Sequence, residues 1–296
     1  MVAMNQFCMM APDSPPQAAS QEEPYGLLAG WGRLPVLIAE KAHQLRIPLI
    51  CVGIRGMADK NALAPLVKRF YWTRLASISR PVSCFKHEGV RYWMMAGKVH
   101  KVSIFRPFRL FTMLPDWRMI RFWFFRNRSD NTDDNLNLGI IDEFAKDGLI
   151  CRSSLELCSE LLVKPGILTK RKVNNTEEKD IHFGWEMAKE MGRLDVGQSV
   201  MIRERMVVAV EAIEGTDRAI LRAGELCKGR SFVVVKVAKP HQDMRFDVPT
   251  VGTSTIETMH QAGGTVLAIE AGKTILLDPD ATISLADRYG ITIAAV

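Results

Sequence analysis

The stretch Tyr25-Gly26-Leu27-Leu28-Ala29-Gly30-Trp31-Gly32-Arg33-Leu34-Pro35-Val36-Leu37-Ile38 decides the fold. A short apolar run ends in a turn framed by Gly30 and Gly32. Leu34, Leu37, Ile38, Ala42 and Leu45 then recur at helical spacing. A second apolar run over 47–52, rich in β-branched residues, stops at Gly53. Strand, glycine turn, helix and strand in that order open a βαβ unit and require a parallel sheet.

The pattern continues outward. Ser79 and Pro81 open a helix through Phe85 that stops at Gly89, and 91–96 reads as a strand. Leu136, Ile140 and Phe144 mark a helix closed by Gly148, followed by a last strand over 149–151 and a short helix over 154–161. Over 164–175 the pattern breaks at Pro165-Gly166, Lys170-Arg171-Lys172 and Asn174-Asn175-Thr176, as in a connection between domains. Thr176 is the expected cap of the next helix, whose first turn holds Glu177, Glu178 and Asp180. A hairpin over 199–213 turns at Arg203-Glu204-Arg205. Helices over 216–228, 254–262 and 279–289 then alternate with strands over 232–237, 266–269 and 291–295. The expected architecture is α/β in two domains: a Rossmann-like parallel sheet over 25–162 and a mixed α/β domain over 163–296. Residues 1–24, rich in Pro, Ser, Gln and Ala, read as a disordered tail.

With 296 residues there is room for about two domains, and 47% hydrophobic with 24% charged residues excludes disordered, collagen-like and coiled-coil chains. No run of 18 apolar residues occurs, and the N-terminus lacks a secretory pattern, so a cytoplasmic location is expected. Cys8, Cys51, Cys84, Cys151, Cys158 and Cys227 form no Cys-x-x-Cys pair, which disfavours a disulfide framework or a zinc site. The six histidines form no His-Glu-x-x-His pattern, and there is no Gly-x-Ser-x-Gly elbow. Zinc and serine hydrolases are therefore disfavoured.

The net charge of +6 is unevenly spread. Lys98, Lys101, Arg106, Arg109, Arg118, Arg121, Arg126 and Arg128 face only Asp116 within 98–128, with eight aromatics interleaved from Phe105 to Phe125. Such a segment suits an anionic membrane interface or a lipid with a phosphate head. It equally suits a helical subdomain that packs its aromatics inward. Nucleic acid is disfavoured, because no recognised binding module accompanies the charge.

Several motifs fall at strand exits. The Gly30-Trp31-Gly32 turn fails as a dinucleotide fingerprint, since Pro35 replaces the third glycine and no acid ends the next strand. Ala271-Gly272-Lys273-Thr274 fails as a P-loop, because Leu267 stands where its first glycine is required. Glu270-Ala271-Gly272-Lys273 and Ala96-Gly97-Lys98 still sit where open α/β sheets bind ligands. In Glu211-Ala212-Ile213-Glu214-Gly215-Thr216-Asp217, Thr216 is the expected helix cap and Gly215 admits close approach by a ligand. In the segment from Lys236 through Lys239, Gln242, Asp243 and Arg245 to Asp247, acids suited to Mg²⁺ stand beside bases suited to phosphate. If extended, that segment puts Asp243, Arg245 and Asp247 on one face, with the carboxylates roughly 13 Å apart.

Taken together, Leu28-Ala29-Gly30-Trp31-Gly32-Arg33-Leu34-Pro35, Met94-Met95-Ala96-Gly97-Lys98-Val99, Leu194-Asp195-Val196-Gly197-Gln198, the Glu211–Asp217 motif, Lys239-Pro240 through Asp247-Val248-Pro249 and Ile269-Glu270-Ala271-Gly272-Lys273-Thr274 resemble the LpxI-type UDP-2,3-diacylglucosamine pyrophosphatases. The resemblance implies two α/β domains with the ligand between them, and Mg²⁺-dependent hydrolysis of UDP-2,3-diacylglucosamine to UMP and 2,3-diacylglucosamine 1-phosphate in lipid A synthesis. It implies a catalytic Asp247; from the residues themselves, Asp243 and Asp247 are the acids suited to holding the metal. It further implies ligand-facing Gly30, Gly32, Glu214, Gly215, Thr216, Asp217, Gln242, Glu270, Ala271, Gly272 and Lys273; from the residues themselves, Gly97 and Lys98 lie at a strand exit suited to a ligand, and Lys236, Lys239, Arg245 and Lys273 are cations suited to the diphosphate. The family turn is usually all glycine; here Trp31 occupies its middle. Asp247 binds the metal or orients the attacking water, and both roles stay open on sequence. A non-catalytic lipid or nucleotide-sugar binding protein is the alternative reading. A symmetric homodimer and association with the cytoplasmic face of the inner membrane are further expectations.

Overall fold

A computed structural model describes residues 23–99, 115–125, 133–240 and 242–296. Nearly all of the 1–24 tail, much of the 98–128 segment and His241 lie outside them. The quoted opening folds as read: β1 (Tyr25–Ala29), α1 (Leu34–Gln44) and β2 (Leu49–Ile54) form a βαβ unit, with β1 and β2 parallel. Strand β2 is buried at all six positions, as a central parallel strand requires. A short helix α2 (Lys60–Leu63) leads to β3 (Arg69–Thr73), a strand not anticipated from sequence. Then come α3 (Ser79–His87), β4 (Tyr92–Ala96), α4 (Trp117–Phe125), α5 (Asp133–Ala145) and β5 (Ile150–Cys151). The sheet order β3-β2-β1-β4-β5 is parallel throughout. The helix expected over 154–161 is two 3₁₀ turns, Ser154–Glu156 and Ser159–Leu161.

The second sheet is mixed. It runs β6 (Gly166–Ile167), β13 (Thr292–Ala295), β11 (Gly264–Ile269), β9 (Phe232–Lys236), β7 (Ser199–Arg203) and β8 (Met206–Val210). Helix α6 (Asn175–Arg193) packs on one face, and α7 (Thr216–Cys227), α8 (Thr253–Ala262) and α9 (Pro279–Tyr289) serve the other. A two-stranded parallel pair, β10 (Thr250–Val251) and β12 (Ile275–Leu276), lies outside the main sheet. Each large sheet has an apolar cluster on both faces, which makes each unit a three-layer sandwich.

Three local expectations are corrected. Asn174, not Thr176, caps α6: its side chain accepts from the Thr176 and Glu177 amides while Glu177 reaches back to the Asn174 amide, a complete capping box. The segment over 164–175 is not merely a connection, because β6 pairs antiparallel with β13. Residues 244–246 form a turn, so Asp243, Arg245 and Asp247 do not share an extended face.

The two sheets meet at several points. Leu161 packs on the first unit's core, and Val163, two residues on, is buried in the second. Val163 is held there by its amide to the Thr274 carbonyl (3.0 Å) and its carbonyl from the Gly272 amide (2.8 Å). Arg33 at the start of α1 reaches Asp278 at the start of α9 at 3.1 Å. From the second unit, Phe246 packs into the apolar cluster of Ile50, Val52, Phe85 and Trp93, and the Ser153 hydroxyl donates to the Met244 carbonyl at 2.9 Å.

Candidate active site at the strand exits

The parallel strands β9 and β11 end side by side, with Lys236 in register with Ile269. Lys236 is therefore one neighbour away from Glu270. Both residues lie at the carboxyl edge of the parallel strands, where open α/β sheets bind ligands. Lys236 is only 5% exposed. Its ammonium donates to Thr216 Oγ1 (3.1 Å) and to the Thr250 carbonyl (3.3 Å), both neutral acceptors. Burial pulls its pKa down from the ordinary lysine value. Glu211, Asp217 and Asp247 oppose that shift, while Lys98 from the other sheet adds to it. Lys98, Asp217 and Asp247 thus lie within electrostatic reach of one buried ammonium.

Thr216 does not cap α7. Gly215 occupies the cap at φ +86°, and the Thr216 hydroxyl instead donates to Glu211 Oε1 at 2.9 Å. Glu211 is buried, and its Oε2 has no hydrogen-bond partner among the described residues. Glu214 faces elsewhere, paired with Arg222 at 2.5 Å.

The loop after β9 is ordered by its own polar groups. Gln242 accepts from the Lys239 amide (2.9 Å) and donates to Asp247 Oδ2 (2.6 Å). Lys239 pairs with Asp195 of the Leu194–Gln198 motif. Asp243 accepts from the Arg245 amide and from its guanidinium at 2.6–3.0 Å. The Arg245 guanidinium holds the Asp243 carboxyl below the usual carboxylate range. Asp243 is thereby committed to Arg245, whereas Asp247 uses Oδ2 only, leaving Oδ1 without a hydrogen bond among the described residues.

Glu270 serves the framework. It accepts from Lys189 (2.6 Å) and the Ala238 amide (2.8 Å) and pairs with Lys273 (3.0 Å). Burial alone would raise its pKa, but these donors hold the carboxyl below its ordinary value. Ala271 and Gly272 bond through their amides to the carbonyls of Val296 and Val163, which ties this turn to the chain end and the inter-sheet crossing. In the first sheet, an isolated bridge joins Trp31 to Lys98 across the exits of β1 and β4. A Cβ at Gly97 would lie 2.8 Å from Gly30 C, so these two glycines are explained by contact between their own backbones. Gly32, at φ +112°, faces open space within 4 Å and is the glycine of this turn that a ligand can approach.

Sequence reading missed Glu211 as a working group and missed Thr250 and Lys189 altogether, because only tertiary structure brings them to Thr216, Lys236 and Glu270. Among the described residues no group of three or more His, Cys, Asp or Glu gathers as a metal cage. A two-domain α/β protein with a buried lysine and paired acids at its strand exits is the class that fold and site define. Residues 24–161 match the LpxI N-terminal domain and residues 164–294 the LpxI C-terminal domain. The chain belongs to the LpxI family and is an enzyme. It is similar to UDP-2,3-diacylglucosamine pyrophosphatase LpxI of Caulobacter vibrioides, 30% identical over 281 residues, which cover 92% of this chain and 96% of that protein.

Proposed function

We propose that the protein hydrolyses the pyrophosphate bond of UDP-2,3-diacylglucosamine, giving UMP and 2,3-diacylglucosamine 1-phosphate, in the space between the two sheets. The observation that carries this reading is Lys236, a buried ammonium without a direct carboxylate partner among the described residues, where acids from two loops and Lys98 from the other sheet converge. A diphosphate entering there meets a charge not already neutralised by a direct ion pair. Phosphoanhydride cleavage depends mainly on positioning and charge stabilisation, so no covalent nucleophile is required.

Mg²⁺ belongs to the same reading. Such ions are commonly held by one or two carboxylates plus substrate phosphates rather than by an all-protein cage. Asp247 fits that pattern through its unbonded Oδ1, with Gln242 fixing the other oxygen. Asp243 orders the loop through Arg245. When bound, the ion supplies charge neutralisation on the diphosphate. Lys236 and Lys98 add positive charge from the two sides, and Phe246 anchors the loop that carries Asp247 to the first unit.

The lipid part of the substrate directs attention to α4, where Trp117 is 77% and Phe124 74% exposed beside exposed Arg121. We assign this helix to an anionic membrane surface that presents the acylated substrate. Among the described residues no helix is long and apolar enough to cross a membrane. UMP release from the diacylated substrate, with Mg²⁺ or with EDTA, tests the reading. Binding of the substrate without UMP release in either condition would favour the non-catalytic alternative.

A further inference from the structure

Lys236, Thr216 and Glu211 form a linear relay. The ammonium donates to Thr216 Oγ1 at 3.1 Å, and that hydroxyl donates to Glu211 Oε1 at 2.9 Å. A hydroxyl has one proton, so giving it to Glu211 leaves its lone pairs to face the lysine. The buried Ser199 hydroxyl lies 3.4 Å from the same oxygen. Glu211 is itself 9% exposed, and its Oε2 is buried without a hydrogen-bond partner among the described residues. A buried carboxylate left half-satisfied is costly, and neither capping nor the hairpin requires it. The arrangement compensates a buried positive charge at one remove. Among the described residues, two of the three N–H groups of Lys236 go to neutral oxygens and none goes to a carboxylate.

We propose that Glu211 is a positioning residue which, through the Thr216 hydroxyl, orients the Lys236 ammonium and keeps it protonated for the anionic group of a ligand. The inference rests on the phosphate-binding role given to Lys236 above. A direct Lys–Glu pair would spend the ammonium on the carboxylate, whereas the relay keeps the countercharge near and a donor free. The other charged groups acting on Lys236 are Asp217 and Asp247, which favour its charged form, and Lys98, which opposes it. Lys236 itself bonds to neither Asp243 nor Asp247.

The test is the ¹⁵Nζ titration of Lys236 in the full lysine-labelled chain, with the resonance assigned by its loss in Lys236→Arg. In Glu211→Gln the midpoint should fall by roughly one pH unit relative to wild type, since a nearby countercharge is removed while an acceptor for Thr216 remains. Asp217→Asn should move it less, and Thr216→Ser should leave it in place. An unmoved midpoint in Glu211→Gln, or a larger movement in Asp217→Asn, would overturn the relay. Should Glu211→Gln fail to fold, Thr216→Val against Thr216→Ser decides: a lower midpoint only in the valine variant supports the relay, and equal midpoints overturn it. UMP release is measured separately. Its absence in wild type would sink the proposed reaction and leave the titration result standing.

Discussion

Lys236 and Glu270 end neighbouring strands and meet opposite treatment. Glu270 has three donors and is consumed by the framework, while Lys236 is buried against neutral oxygens with its countercharges set back. Either residue reads from sequence as a polar group at a strand exit; only the partners tell a strut from a working charge. The glycines divide in the same way. Gly97 combines φ +96° with neighbours that a Cβ would meet at 2.8–2.9 Å, among them Gly30 C and Trp31 O. Gly97→Ala should therefore cost more than the about 1–3 kcal/mol of backbone strain alone. Gly32→Ala, with φ +112° and open space, should cost only the strain. Denaturant midpoints of the two variants check this; equal losses would contradict the close crossing of the two strand exits.

At the scale of elements, Asp116 joins two helices. Its Oδ1 accepts from the Met119 amide in the first turn of α4 (2.8 Å). Its Oδ2 accepts from the Ser79 amide at the start of α3 (2.6 Å) and from the Ser77 hydroxyl (2.8 Å). Burial opposes ionisation, but these donors prevail and hold the carboxyl below its ordinary value. A depressed folded-state pKa means the stabilisation is present above the unfolded pKa and is lost as pH falls through the folded one. We expect Asp116→Ala to cost about 1–2 kcal/mol at neutral pH, as loss of caps does, and to show a shallower acid limb than wild type. Equal acid limbs in urea titrations would remove Asp116 from that role. Much of this level was legible in the sequence. The 279–289 helix, with Pro279 at its start and Gly290 after it, matches the observed bounds. Strand β3, Arg69-Phe70-Tyr71-Trp72-Thr73, has a strand-favouring composition but no apolar–polar alternation, because it is an edge strand whose middle residues are all partly buried. The cap of α6 was misread by two residues because Asn174, Asn175 and Thr176 are all good capping residues and only the reach of Glu177 selects among them. The turn at 244–246 depends on the Asp243–Arg245 contact, which an extended reading of the sequence does not include.

For the whole molecule, the two sheets act as one device only if charge and lipid meet at their junction. Arg33 with Asp278 is half exposed and worth at most about 1 kcal/mol, so the apolar seating of Phe246 is the stronger of these ties. The exposed aromatics of α4 and the basic residues of 98–128 should draw the protein to anionic vesicles, each basic contact contributing about 1 kcal/mol near the surface. Sedimentation with such vesicles should weaken as salt rises. Equal binding to neutral vesicles at low and high salt would remove the electrostatic part. The central claim is catalysis at Asp247 beside Lys236. UMP release from UDP-2,3-diacylglucosamine, followed for wild type and Asp247→Asn with Mg²⁺ and with EDTA, tests it most directly. We expect turnover only in wild type with Mg²⁺, with Asp247→Asn folded, still binding substrate and losing most of its rate. Near-normal turnover by Asp247→Asn, or by wild type in EDTA, would contradict the account.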